Sequence, residues 1–148
     1  MKNILVSACL LGLNCRYNGT GVLREEFEKY KQEYNLIPVC PEIFGGMMTP
    51  RDPAEIVNHR VVNSCGEDVT KYYEKGATEV LKLAYFYDCK LAILKERSPS
   101  CGSGQIYDGS FTGNLISGNG VTAELLMKNG ITVIGETQIE GLSGINRI

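Results

Sequence analysis

Six cysteines, at positions 9, 15, 40, 65, 89 and 101, and one histidine, His59, are the residues of this chain best suited to soft-metal or nucleophilic chemistry. Structural zinc sites usually rest on paired Cys-x2-Cys knuckles, and the sequence has none. A nucleophilic cysteine needs a nearby base, and a single histidine on a turn-rich segment is a poor source of one. Three readings stay open on residue types alone: scattered thiolates on a metal or iron–sulfur cluster, unligated packed thiols, and cysteine nucleophiles. For the first, thiolates on three irons of a cubane leave the fourth iron open, and an open iron is a Lewis acid able to take a substrate atom.

The stretch ERSPSCGSG (96–104) sharpens the question. It follows the apolar run Leu91-Ala92-Ile93-Leu94 and sets Cys101 among serines, a proline and glycines. A cysteine used only for packing would sit inside the run. This one is presented to something.

The elements that must position these residues alternate between strand and helix. Asn3–Ser7 reads as a first strand, Leu23–Tyr34 as an amphipathic helix, and Leu36–Val39 as a second strand whose Pro38 suits a sheet edge. Cys40–Asp52 reads as a Pro- and Gly-rich loop, Glu55–Ser64 as a small hairpin, and Asp68–Tyr87 as the longest helix. Leu91–Leu94 is the third strand, buried on both faces. A glycine-rich loop over Gly102–Gly120, a helix over Val121–Lys128 and a strand over Ile131–Ile134 complete the pattern. The fold class expected is α/β: a Rossmann-like three-layer sandwich with a short, mostly parallel sheet of about four strands, order 2-1-3-4, plus a small β-hairpin.

In such a sheet ligands bind beyond the carboxyl ends of the strands. Cys9, Cys40 and Cys101 each follow a strand, so they converge at one edge. Cys89 precedes the third strand and lies about 20 Å away at the other edge. Cys65 belongs to the hairpin-to-helix connection. Cys15 starts from the correct edge and is open to three roles: fourth ligand, sulfur carrier or packed thiol.

Composition limits the partners. The 148 residues are 43% hydrophobic and 22% charged, which fits one domain over residues 1–148. A net charge of −2 argues against an extended nucleic-acid surface and for a small-molecule substrate. Val6-Ser7-Ala8-Cys9 has the look of a lipoprotein cleavage box, but only Ile4-Leu5-Val6 precede it as an apolar stretch, too short for a signal. With no apolar run near membrane-spanning length, a cytoplasmic location is expected, and there cysteines serve metal ligation or catalysis more often than disulfides.

Five segments, SACLLGLNCRYNG (7–19), PVCPEIFGGMMTPRDPAEI (38–56), GEDVT (66–70), KERSPSCGSGQIYDGSFTG (95–113) and GNGVTAELL (118–126), together resemble the thiouracil desulfidase family, over nearly the whole chain and in the same order. The resemblance implies a [4Fe-4S] cluster with one open iron, held by Cys9, Cys40 and Cys101 and lost from aerobically prepared samples. It implies removal of sulfur from 2- or 4-thiouracil to give uracil, with the substrate's sulfur bound at the open iron. It also implies that Glu42 and Ser98 assist catalysis. A loop carboxylate paired with Arg51 or Arg16 is the plainer reading of Glu42, and a hydroxyl closing the turn before Pro99 that of Ser98. Arg16, Arg51 and Ser100 are expected at the substrate, and Lys95 and Arg97 carry charge to the same edge. The GNG turn at 118–120 is either an anion site or a helix cap. Asn18, where aspartate is common, and Met47-Met48 depart from the family pattern. Residue roles rest on the resemblance; the convergence of the three cysteines rests on strand order.

Overall fold

The computed structural model describes residues 1–142. Its central sheet is made of β1 (Lys2–Ser7), β2 (Tyr34–Val39), β5 (Leu91–Leu94) and β8 (Thr132–Gly135), all parallel, in the order β2-β1-β5-β8. Counted among these four strands alone, that is the expected 2-1-3-4. Two antiparallel hairpins stand outside it: β3 (Ala54–Val57) with β4 (Arg60–Asn63), and β6 (Gln105–Tyr107) with β7 (Leu115–Ser117). The helices are α1 (Phe27–Tyr30), α2 (Pro41–Phe44), α3 (Thr70–Phe86) and α4 (Val121–Lys128).

Strand alternation separates the two apolar layers. Ile4, Val6 and Ile93 face Leu10, Phe27, Tyr30, Ile139 and Leu142 on one side. Leu5, Ala92 and Leu94 face Val80 and Ala84 of α3 and Ala123 and Leu126 of α4 on the other. Burial on both faces is what a parallel sheet requires, and β5 accordingly has no polar residue. Pro38 sits on β2, the edge strand, opposite Val6. Among the described residues, no helix is long and apolar enough to cross a membrane.

Three segments differ from their sequence reading. The helix expected over Leu23–Tyr34 shrinks to Phe27–Tyr30. The amides of Val22 and Arg24 bond to the carbonyls of Cys9 and Leu10, so the chain stays extended there, and Tyr34 is already in register with Lys2 on β1. The expected loop over Cys40–Asp52 contains α2, started by Pro41 at its first position. The glycine-rich loop over Gly102–Gly120 contains the β6–β7 hairpin, whose three-residue strands are too short to show a period. His59 occupies the β3–β4 turn at φ +65°, exposed and remote from any ligand role.

One close approach fixes α2. A Cβ on Gly76 of α3 would collide with the carbonyl of Pro41, and one on Gly45 would collide with the carbonyl of Tyr72. The two backbones therefore touch directly, and only glycine permits it. Gly76→Ala is expected to push α2 off α3 and to lower stability by about 1–3 kcal/mol, the usual cost of overpacking, read from the urea unfolding midpoint.

Candidate active site

β1, β2 and β5 end at the same edge, and the chain leaves each of them by a different device. After β1 a 3-10 turn over Ala8–Leu11 holds Cys9. After β2 Cys40 stands just before α2. After β5 the chain runs through Lys95–Ser100 to Cys101. That last loop is fixed by α4, whose first amides, Val121, Thr122 and Ala123, donate to the carbonyls of Pro99 and Ser100. Gly120 lies so close to the Ser100–Cys101 peptide that a Cβ there would strike it. The GNG turn is thus a helix start capped by the cysteine loop, and the anion reading does not hold.

Cys9, Cys15, Cys40 and Cys101 line one cavity of about 400 Å³, within the roughly 300–1,000 Å³ of small-molecule sites. The three cysteines chosen by strand order do share this wall, and Cys15 joins them. Its thiol lies beside those of Cys40 and Cys9, and its carbonyl is 3.8 Å from Cys40 Sγ. Among the described residues no group of three Cys, His, Asp or Glu side chains is arranged to hold a single metal ion. Cys65 is exposed, with its thiol 3.4 Å from an Asp52 carboxylate oxygen. Cys89 is buried against the α3 face of the sheet, and neither lines the cavity.

Cys15, Cys40 and Cys101 resist ionisation. Contact with Cys15, then burial, drives the Cys40 thiol far above its ordinary range. Burial pushes Cys101 up to about 12, against the opposing effect of the Ser7 and Ser100 hydroxyls, each 3.5 Å from its sulfur. Cys15 is raised in net: contact with Cys40 lowers it, while contact with Cys9 and burial outweigh that. These three thiols stay protonated unless a cationic centre takes them.

Glu42, on the first turn of α2, lies on the same wall. Its Oε1 accepts the Tyr73 hydroxyl at 2.5 Å and lies 3.4 Å from Arg51 Nε; its Oε2 accepts the Ser100 hydroxyl at 3.4 Å. Burial and the adjacent carboxylate raise the Tyr73 hydroxyl well above its usual range, so it remains a donor. The pairing with Arg51 is therefore real, and it coexists with a place on the cavity wall.

Arg51 is itself enclosed, donating to the carbonyls of Cys15 and Met48 and to the Thr49 hydroxyl. Ser100 is fully buried, and its hydroxyl contacts three residues of the cavity lining, Glu42, Ser98 and Cys101. Ser98 lines the cavity while its Oγ accepts the amides of Ser100 and Cys101, each at 3.1 Å, closing the turn as its plainer reading expects. Arg16, half-buried, and Arg97, exposed, line the cavity with Lys95, whose ammonium is 2.9 Å from a Glu136 carboxylate oxygen. Asn18 accepts the Thr20 amide and hydroxyl, a task in which aspartate and asparagine are equivalent.

Sequence reasoning missed Tyr73, Ser7 and the aromatic residues Tyr17, Tyr107 and Phe111 as parts of this site. Tyr73 falls on the apolar face of α3, and helical periodicity registers its ring but not its hydroxyl. Ser7 lies inside an apolar strand, where its hydroxyl accepts the Lys95 amide.

Removing the Tyr73 hydroxyl takes a donor from a largely buried carboxylate. Tyr73→Phe is expected to cost about 1.5–3 kcal/mol in urea unfolding, the range for a hydrogen bond to a charged group. Cys65→Ala and Cys89→Ala should bind as much iron in anaerobic reconstitution as the unaltered chain, whereas alanine at Cys9, Cys40 or Cys101 should lower it severely. Equal iron in all five variants would detach the cavity from metal binding.

Known proteins resemble this chain in sequence and in fold. The family model for 2-thiouracil desulfurase matches residues 4–138. The uncharacterized protein YbbK of Bacillus subtilis (strain 168) is 44% identical over 149 residues, spanning 94% of this chain and 99% of that protein. The solved structure of a [4Fe-4S]-dependent thiouracil desulfidase, TudS, superposes with a TM-score of 0.94 at 40% identity, covering 100% of both chains. On sequence and fold together, the chain belongs to the 2-thiouracil desulfurase family of enzymes.

Proposed function

We propose that this chain removes sulfur from a thiolated pyrimidine, converting 2- or 4-thiouracil and water to uracil and hydrogen sulfide. In this reading Cys9, Cys40 and Cys101 hold a [4Fe-4S] cluster. The observation that carries it is the gathering of thiols from three separate strand ends, with Glu42, on one cavity wall. The donor set fits: soft thiolates suit iron, and thiols that resist ionisation alone are deprotonated by a metal centre. When bound, the cluster supplies an electron-poor open iron that polarises a soft thiocarbonyl.

The chain's own residues supply the rest. Glu42 takes a proton from the water that attacks the ring carbon, with Oε1 held by Tyr73 and Arg51 and Oε2 next to Ser100. Ser98 orients the water or the pyrimidine from the loop that it also closes. Arg16 and Arg97 place positive charge at the cavity against the negative charge of the thiolates.

Cys15 favours a second reading. A thiol touching both Cys9 and Cys40 would close the site as a fourth ligand, giving a non-catalytic cluster protein or a sulfur carrier. Anaerobic reconstitution of the unaltered chain should give about four irons and four sulfides per chain. It should then convert 2- or 4-thiouracil to uracil, with Cys101→Ala inactive. A protein left colourless and iron-free defeats the cluster altogether. Cys15→Ala should retain iron and turnover; loss of iron in that variant, with no desulfuration by the unaltered protein, moves the assignment to the closed site.

A further inference from the structure

The cavity is lined by two kinds of segment: the strand ends, with the thiols and Glu42, and the two hairpins, with Tyr107 and Phe111 from the β6–β7 hairpin. Phe111 combines three features seldom found together. It is 39% exposed although large and apolar, it lines the cavity, and its backbone is left-handed at φ +59°. A bulky residue does not adopt that conformation unless its surroundings hold it there.

The restraint is Glu55 on β3. Its Oε1 accepts two backbone amides of the β6–β7 loop, Gly109 at 3.0 Å and Phe111 at 3.1 Å. Gly109 packs onto β3 so closely that a Cβ would meet Ile56 O at 2.9 Å and Val57 Cγ2 at 2.7 Å. The loop is thus clasped to the other hairpin, and the backbone that carries the ring is held at the cavity lining. An exposed aromatic ring held in this way offers a flat π face, and base–aromatic stacking is a strong and general means of binding a pyrimidine.

We propose that Phe111 is the stacking wall for the substrate's pyrimidine ring and that Glu55 is the positioning residue that holds it there. The inference rests on the desulfidase reading and deepens it: the ring is recognised by the hairpins, while the sulfur is handled at the strand ends.

The chain has no tryptophan, so Phe111→Trp introduces a single fluorescent reporter at the wall. Titrating the cluster-loaded variant with uracil should change its tryptophan emission saturably. Phe111→Ala should raise KM for 4-thiouracil about tenfold or more, with a much smaller effect on kcat and unchanged iron content. Phe111→Leu, similar in bulk but without a π face, should resemble Phe111→Ala, and Phe111→Tyr should stay close to the unaltered enzyme. Glu55→Ala should raise KM in the same direction. An active enzyme with flat emission in Phe111→Trp and unchanged KM in Phe111→Ala overturns the wall alone. Saturable emission change in a fully loaded protein that leaves 2- and 4-thiouracil intact overturns the desulfidase reading and leaves ring recognition standing.

Discussion

Parallel pairing of β2, β1 and β5 is the interaction from which the site follows. Three adjacent strands that run the same way must all end at the same edge, so cysteines placed just after each are brought together from positions 9, 40 and 101. An antiparallel neighbour in the same place would have carried one of them to the far edge. The pairing is enforced by burial: Leu5, Val6, Ala92, Ile93 and Leu94 are all 0% exposed, and slipping one strand by one residue would exchange its two faces between different apolar layers.

Convergence at an edge is coarse, and the finer placement comes from backbone contacts made without side chains. α2 is pressed on α3 at Gly45 and Gly76, which sets where Cys40 and Glu42 stand relative to Tyr73. The loop carrying Cys101 serves as the cap of α4, so that moving the cysteine would leave the helix amides of Val121, Thr122 and Ala123 without acceptors. Each thiol is therefore tied to an element with its own reason to stay in place. Pre-organisation of this kind is what a multi-thiolate site requires, because grouped thiols that resist ionisation gain nothing by approaching one another unaided.

What the sequence made legible follows the same division. The trio was readable because it depends only on strand order and on which side of a strand each cysteine falls. The β3–β4 hairpin and α4 were readable because their turn and stop signals are local. The helix expected over Leu23–Tyr34 was misread because its periodic residues are shared between two environments: Phe27 and Tyr30 bury, whereas Leu23 stays 60% exposed and Tyr34 joins the sheet. Tyr73 was hidden for a different reason. Its ring satisfies the apolar pattern of α3, and the partner of its hydroxyl, Glu42, is 31 residues away. Contacts that link distant segments through one polar atom leave no trace in a periodicity.

Arg51 shows how closely the two halves of the site are joined. It donates to Glu42 and to the carbonyl of Cys15, while its own amide donates to the carbonyl of Tyr17. One residue thus holds the carboxylate, the loop of the fourth thiol and an aromatic residue of the cavity wall in a fixed relation. Replacing it with lysine would keep the charge and the amide hydrogen bond to Tyr17 but lose the planar fork that reaches Glu42 and the Cys15 carbonyl at once. The hairpin that carries Phe111 is also tied to the thiols: Ile106 of β6 bridges to Arg97 in the loop leading to Cys101, while Glu55 accepts two amides of the β6–β7 loop. The loop leading to Cys101 and the hairpin carrying Phe111 are thus set against each other by backbone pairing, as Glu42 and the Cys15 loop are set by Arg51.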